Sequence, residues 1–197
     1  NLADVLIFKI NKNNELLSGT NDKIIRFWNM TTRSFKRYLN ISQATLWNMV
    51  INKNDELVVA TTNRKVKFCN QTTGICRETS NGHNDIIYAF VINKDDELIT
   101  GSLDHMIKIF NMTTGVCKKN LTEHTNAVRA LVINKDDELI SGSWDFTIKI
   151  WNMTTGECKR TLTGHTDRVY SLVINNNDEL VSGSNDTTIR MWNMTTG

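Results

Sequence analysis

The chain carries the three residue types of a nucleophilic triad at a fixed spacing: His124, Ser141 and Asp145, then His165, Ser182 and Asp186. A serine hydroxyl, an imidazole that takes its proton and a carboxylate that orients the imidazole could attack a carbonyl. Such chemistry needs one asymmetric site with a separate oxyanion-stabilising element. Here the same set appears repeatedly and no such element accompanies it, so the set reads as architecture. Assigning the serine role to Ser143 or Ser184 leaves that reading unchanged.

Metal and redox chemistry find no better footing. Cys76, Cys117 and Cys158 hold the same place in successive stretches, and Cys69 adds no Cys-x-x-Cys spacing of the kind a zinc site uses. Equivalent positions in neighbouring outer strands lie too far apart for a disulfide. Free thiols are therefore expected, and with them a reducing compartment, cytoplasm or nucleus. His105 has no Cys or carboxylate at ligand spacing and reads as a surface turn residue. No metal and no cofactor is expected.

The elements that must position these residues follow from internal repetition. The stretch around Trp151, "TIKIWNMTTG", returns around Trp28, Cys69, Phe110 and Trp192, a spacing of 41 residues each time. A fixed period in this range marks a solenoid or a propeller. Within a period, "VYSLVI" (169–174), "LVSGS" (180–184) and "TIRMWN" (188–193) are short β-branched runs separated by polar turns, and "ECKRTL" (157–162) alternates as a strand with one wet face. Four such strands cannot bury their apolar faces alone, so the units must pack side by side. The expected fold is all-β, with blades at about 4–39, 45–80, 86–121, 127–162 and 168–197, the last without its outer strand.

Composition narrows the partners. Lys and Arg number 23 against 21 Asp and Glu, a net charge of +2, too even a balance to mark a nucleic-acid or acidic-membrane surface. No apolar run is long enough to span a bilayer. The opening "NLADVLIFKINKNNE" lacks the order of a secretory signal, and the missing initiator Met leaves room for a preceding segment. The Asn-x-Thr sequons at Asn29, Asn70, Asn111, Asn152 and Asn193 are one repeated turn.

Together, Gly164-His165, the "SGS-x-D" hairpins ending at Asp145 and Asp186, and the Trp151-Asn152 pair resemble the repeats of the WD-repeat (WD40) β-propellers. The likeness covers the whole chain. It departs from the family pattern in having Trp-Asn for Trp-Asp, Cys69 and Phe110 for Trp, Ser42 for the His, Asn63 for the hairpin Asp, and no Pro. The resemblance implies four-stranded antiparallel blades forming part of a larger ring of about seven. It also implies a hydrogen-bond chain tying each blade together: His83 and Asp104; His124, Ser141, Asp145 and Trp151; His165, Ser182, Asp186 and Trp192.

Comparison among the five units separates fold from recognition. Glu15, Glu56, Glu97, Glu138 and Glu179 never vary, nor do Ile10, Ile51, Ile92, Ile133 and Ile174, so they answer a demand common to all units. Three columns do vary, and toward the residue types that dominate binding hot spots. They run Leu6, Trp47, Tyr88, Arg129, Tyr170; Asp4, Thr45, Ile86, Ala127, Arg168; and Asn21, Thr62, Leu103, Trp144, Asn185. The resemblance places all three on the top face, which nominates Trp47, Tyr88, Leu103, Arg129, Trp144, Arg168 and Tyr170 as partner-binding. The expected function is a noncatalytic scaffold for a protein or peptide, with no nucleic acid, membrane or small-molecule substrate. The alternatives are a phosphopeptide-reading adaptor of a ubiquitin ligase and a regulatory propeller fused to an enzyme domain.

Overall fold

The computed structural model describes residues 5–41, 46–61, 64–79 and 82–194, with the side chains of Val5, Leu6, Trp47 and Thr61 outside that description. Strand follows strand with no helix among the described residues. The chain divides into two compact units, Asn1–Gly82 and His83–Gly197.

The first unit holds two four-stranded antiparallel sheets. One runs β1 (Val5–Ile10), β2 (Glu15–Thr20), β3 (Ile24–Asn29) and β4 (Ser34–Asn40); the other runs β5 (Leu46–Ile51), β6 (Glu56–Thr61), β7 (Val66–Asn70) and β8 (Cys76–Glu78). Leu17, Ile25, Phe27, Leu46, Met49 and Leu57 lie fully buried in one shared cluster. The invariant glutamates explain themselves here. The Asn11 side chain accepts from the Glu15 amide at 2.9 Å and donates to its carboxylate at 2.8 Å, which closes the turn between the first two strands. Arg37 then grips the same carboxylate from the fourth strand, at 2.8 and 3.0 Å. That bond, aided by Lys36 and Asn11, outweighs burial and holds the Glu15 carboxyl down at about 2.

The second unit contains β9 (Ile87–Ile92), β10 (Glu97–Ser102), β11 (Ile107–Asn111) and β12 (Cys117–Leu121); then β13 (Val128–Ile133), β14 (Leu139–Ser143), β15 (Ile148–Trp151) and β16 (Cys158–Leu162); then a three-stranded sheet of β17 (Val169–Ile174), β18 (Leu180–Ser184) and β19 (Ile189–Trp192). Each sheet is a meander, so every strand pairs with its sequence neighbour. The first strands line up against one another, β9 against β13 and β13 against β17. Close approach there requires glycine: a Cβ on Gly101 would sit 2.6 Å from Val128, and one on Gly142 would sit 2.8 Å from Val169. At Gly101 and Gly142 the second residue of the "SGS"-type stretch is thus fixed by the next sheet's first strand.

Burial follows the position of each sheet. Ile148 is 0% exposed, whereas the equivalent Ile189 on the last strand is 77% exposed.

The expectation of free thiols fails at one pair. Cys69 and Cys76 face each other across β7 and β8 and form a disulfide. The counterparts of Cys76 in the other units, Cys117 and Cys158, lie on separate sheets. Cys69, by standing in the Trp position, is the cross-strand partner of Cys76, just as Trp151 is the partner of Cys158. Cys117 and Cys158 remain free, so the expectation of free thiols holds at those two.

Candidate functional site

Two constellations stand out in the second unit, one buried and one at the surface. The buried one is the His-Ser-Asp set. The His124 ring lies 2.7 Å from the Asp145 carboxylate through Nδ1 and 2.7 Å from Ser141 Oγ through Nε2, and Trp151 Nε1 donates to that Oγ at 2.8 Å. With Nδ1–H donating to the carboxylate, Nε2 accepts the serine O–H, whose oxygen accepts the indole N–H. Every member is then satisfied, the condition under which a buried polar chain rigidifies. His165, Asp186, Ser182 and Trp192 repeat it at 2.6, 2.7 and 2.7 Å.

His83 keeps the pattern with one change. It reaches Asp104 at 2.9 Å and Thr100 Oγ1 at 2.7 Å; Phe110 has no N–H to offer, and the Thr100 oxygen also lies 3.3 Å from the Lys108 carbonyl, so its single O–H serves either His83 Nε2 or that carbonyl. The ten named residues are thus brought together in three sets of contacts, one in each sheet of the second unit. Burial pushes these aspartates up, yet the histidine bonds and the backbone amides of the turn outweigh it. Asp104 is held at about 2, and Asp145 and Asp186 lie lower still.

A nucleophile must meet its substrate. Ser141 and Ser182 are 0% and 1% exposed, and their hydroxyls are already engaged on both sides. The geometry ties strand to hairpin and leaves no attacking oxygen.

The surface constellation is built by the variable columns. Trp144 precedes Asp145 in the β14–β15 turn, and its amide donates to Ala127 O at 2.9 Å; Leu103 bonds Ile86 O and Asn185 bonds Arg168 O in the same manner. That backbone bond joins two of the three columns in each sheet of the second unit. The third column, at the second residue of the first strand, places Tyr88 on β9, Arg129 on β13 and Tyr170 on β17. The Trp144 ring lies 5.6 Å from Tyr88 and 5.9 Å from Tyr170. Arg129 stacks over Tyr88 at 4.7 Å and approaches Tyr170 at 6.0 Å, while Arg168 stacks over Trp144 at 4.7 Å.

Five of the seven nominated residues are therefore in one continuous set of ring contacts drawn from three sheets. Leu103 holds the equivalent hairpin position beside them, half-buried. The Trp47 side chain lies outside the described residues, as do Asp4, Thr45 and Thr62 of the columns. Sequence reasoning missed Phe146, 43% exposed in the same hairpin as Trp144 at a left-handed φ of 73°. Its column, Lys23, Arg64, His105, Phe146 and Thr187, varies as freely as the three that were chosen, and that was the available signal.

The concavities lie among the connecting turns. One of about 390 Å³ is lined by Asp136, Glu138, Asp178, Glu179 and Trp192. Three of its four carboxylates are engaged: Glu138 by Lys159, Asp178 by Lys135, Glu179 by Asn175. Among the described residues no group of His, Cys, Asp and Glu has the arrangement of a metal site.

The family described as "WD domain, G-beta repeat" matches residues 74–111, 115–152 and 156–193, more than half of the chain. The chain belongs to the WD40 repeat family. Each WD40 match ends at the Asn that follows the Trp position, and each straddles two sheets. The match at 115–152 includes β12, which pairs with β11, together with β13 to β15 of the next sheet. The crystal structure of the WD40 beta propeller domain of Doa1 is similar over 96% of this chain, with a TM-score of 0.82 and 21% identity, and this chain spans 64% of that one. A comparison with the curated proteins gave no match. The expected all-β propeller class of four-stranded antiparallel blades is thereby correct. WD40 propellers are generally noncatalytic and typically bind proteins or peptides.

Proposed function

We propose that this WD40 chain is a noncatalytic scaffold that docks a protein or peptide on the patch formed by Tyr88, Arg129, Trp144, Arg168 and Tyr170. The observation that carries the reading is convergence: side chains from three sheets, nominated from variable columns that the family resemblance places on one face, meet at the surface. Tyr, Trp and Arg are the residue types that dominate interface energetics, because each offers large contact area with a polar tip. Rigid sheets hold them through backbone bonds, so little order remains to be imposed on binding. Tyr170 is 39% exposed and Arg168 is exposed, which leaves the patch open to a partner.

Quantitative affinity capture from native extract tests the reading, with wild type set against a Trp144→Ala, Tyr170→Ala variant shown by circular dichroism to be folded. A defined set of proteins is expected to disappear with the variant. Retention of the same set at equal yield removes the patch from the function. Turnover abolished by Ser182→Ala without loss of folding would overturn the noncatalytic part.

A further inference from the structure

The chain contains its own template for what a stacked arginine does when it is complete. Arg37 lies over the Phe27 ring at 4.0 Å and its fork meets the Glu15 carboxylate at 2.8 and 3.0 Å. Arg77 lies over the Phe68 ring at 4.4 Å and its fork meets the Glu56 carboxylate at 2.9 and 3.1 Å. In both, an aromatic ring takes the face of the guanidinium and a carboxylate takes its edge. The division is physical: the flat face is weakly hydrated and stacks, whereas the edge N–H groups are directional donors matched to two oxygens.

Arg129 and Arg168 have the first half of this arrangement and lack the second. Both stack on rings of the patch, and among the described residues neither guanidinium has a hydrogen-bond acceptor or an ion-pair partner within 4 Å. The acids nearby are engaged elsewhere. Asp104, Asp145 and Asp186 each face a histidine. Asp167 feels the charge of Arg168, but its oxygens accept from the Asn185 side chain at 2.8 Å and the Arg168 backbone amide at 2.7 Å. Trp144 Nε1 also has no acceptor, but it is buried and so presents no donor to the surface. The two guanidinium edges are therefore the donors that the patch leaves unmatched among the described residues.

We propose that the occupant of this patch is an acidic peptide segment whose carboxylates take the edges of Arg129 and Arg168 while its apolar side chains lie against Tyr170. The proposal rests on the docking reading above and adds the chemistry of the partner. Separate carboxylates fit better than one phosphate, because the two guanidiniums sit on different rings: Arg129 against Tyr88 and Tyr170, Arg168 against Trp144.

The test is selection of a random dodecapeptide display library on the immobilised chain, in parallel with Arg129→Gln, Arg168→Gln and with Trp144→Ala, Tyr170→Ala, each checked for an unchanged thermal melt. Wild type is expected to enrich peptides with Asp and Glu at least threefold over the input. The strongest synthetic peptide is expected to lose at least tenfold in affinity when its Glu and Asp become Gln and Asn, and tenfold on the double Arg→Gln variant. An Arg129→Lys, Arg168→Lys variant keeps the charge without the fork and should fall between. Enrichment without acidic bias that the Trp144→Ala, Tyr170→Ala variant abolishes would sink this proposal and keep the docking reading. No enrichment at all, or enrichment that survives both variants, would sink both. A selected peptide that binds tenfold tighter with phosphoserine in place of its Glu and Asp residues would replace the carboxylate partner with a phosphorylated one.

Discussion

The sheet of β13 to β16 and the sheet of β5 to β8 are copies of one 41-residue pattern, yet their interiors are built on opposite principles. In the former, Ser141 joins His124 to Trp151 in a buried polar chain. In the latter, Val59 stands where Ser141 stands, Cys69 where Trp151 stands, and both are 0% exposed beside Phe68 and Val66. The hydroxyl and the indole have been lost together. A half-satisfied polar chain in a low-dielectric interior is worse than an apolar one, so the members come and go as a group. The β9 to β12 sheet is intermediate: Phe110 removes the N–H donor, while Thr100 keeps its 2.7 Å contact with His83 Nε2 and lies 3.3 Å from the Lys108 carbonyl.

The comparison can be broken most forcefully at the tryptophan. Trp151→Ala should destabilise by about 3 to 5 kcal/mol in urea unfolding, because it opens a cavity and strips Ser141 of a donor. A loss under 1 kcal/mol would mean that the polar chain is ornamental. Next come the reciprocal exchanges. Ser141→Val strands the His124 ring nitrogen and the Trp151 N–H, for about 3 kcal/mol; Val59→Ser buries a hydroxyl without a partner, for about 2 kcal/mol. If Val59→Ser were neutral, the apolar sheet would have latent partners and the group rule would fail.

The pH dependence is smaller and sharpens the same point. The Asp104 carboxyl titrates at about 2 in the folded chain, below the roughly 3.9 of an unfolded Asp. A depressed folded value gives a contribution fully present above pH 4 and lost as the pH falls toward 2, worth about 2 kcal/mol. Unfolding midpoints of wild type and Asp104→Asn should therefore converge across that window, and a constant gap would contradict the assignment. The smallest effect is expected at the surface. Trp144→Ala should change stability by less than about 1 kcal/mol, the scale of an aromatic pair. A loss matching that of Trp151→Ala would erase the distinction between interior and patch.

Much of this was legible because repetition supplies an internal control. The period located every sheet, and the strand pattern placed "VYSLVI" and "LVSGS" on β17 and β18 with matching ends. The family resemblance implied the His-Ser-Asp-Trp chain, and together with the columns it set Trp144, Tyr88 and Tyr170 on one face. Pairing across strands was not legible in that way. The Cys69–Cys76 bond depends on which residues of β7 and β8 sit opposite each other, a register that column comparison does not carry. The stacking of Arg129 and Arg168 on rings depends on side-chain direction, which a column cannot give.

The straddling of sheets by each WD40 repeat has a consequence for how such a chain changes length during descent. Within 115–193, excising or duplicating one 41-residue stretch removes or adds an outer strand of one sheet along with three inner strands of the next. The rejoined ends still present an inner set to an outer strand, wherever the cut falls. Copy number is therefore free to drift by whole units under recombination, with no cut leaving a strand edge newly unpaired.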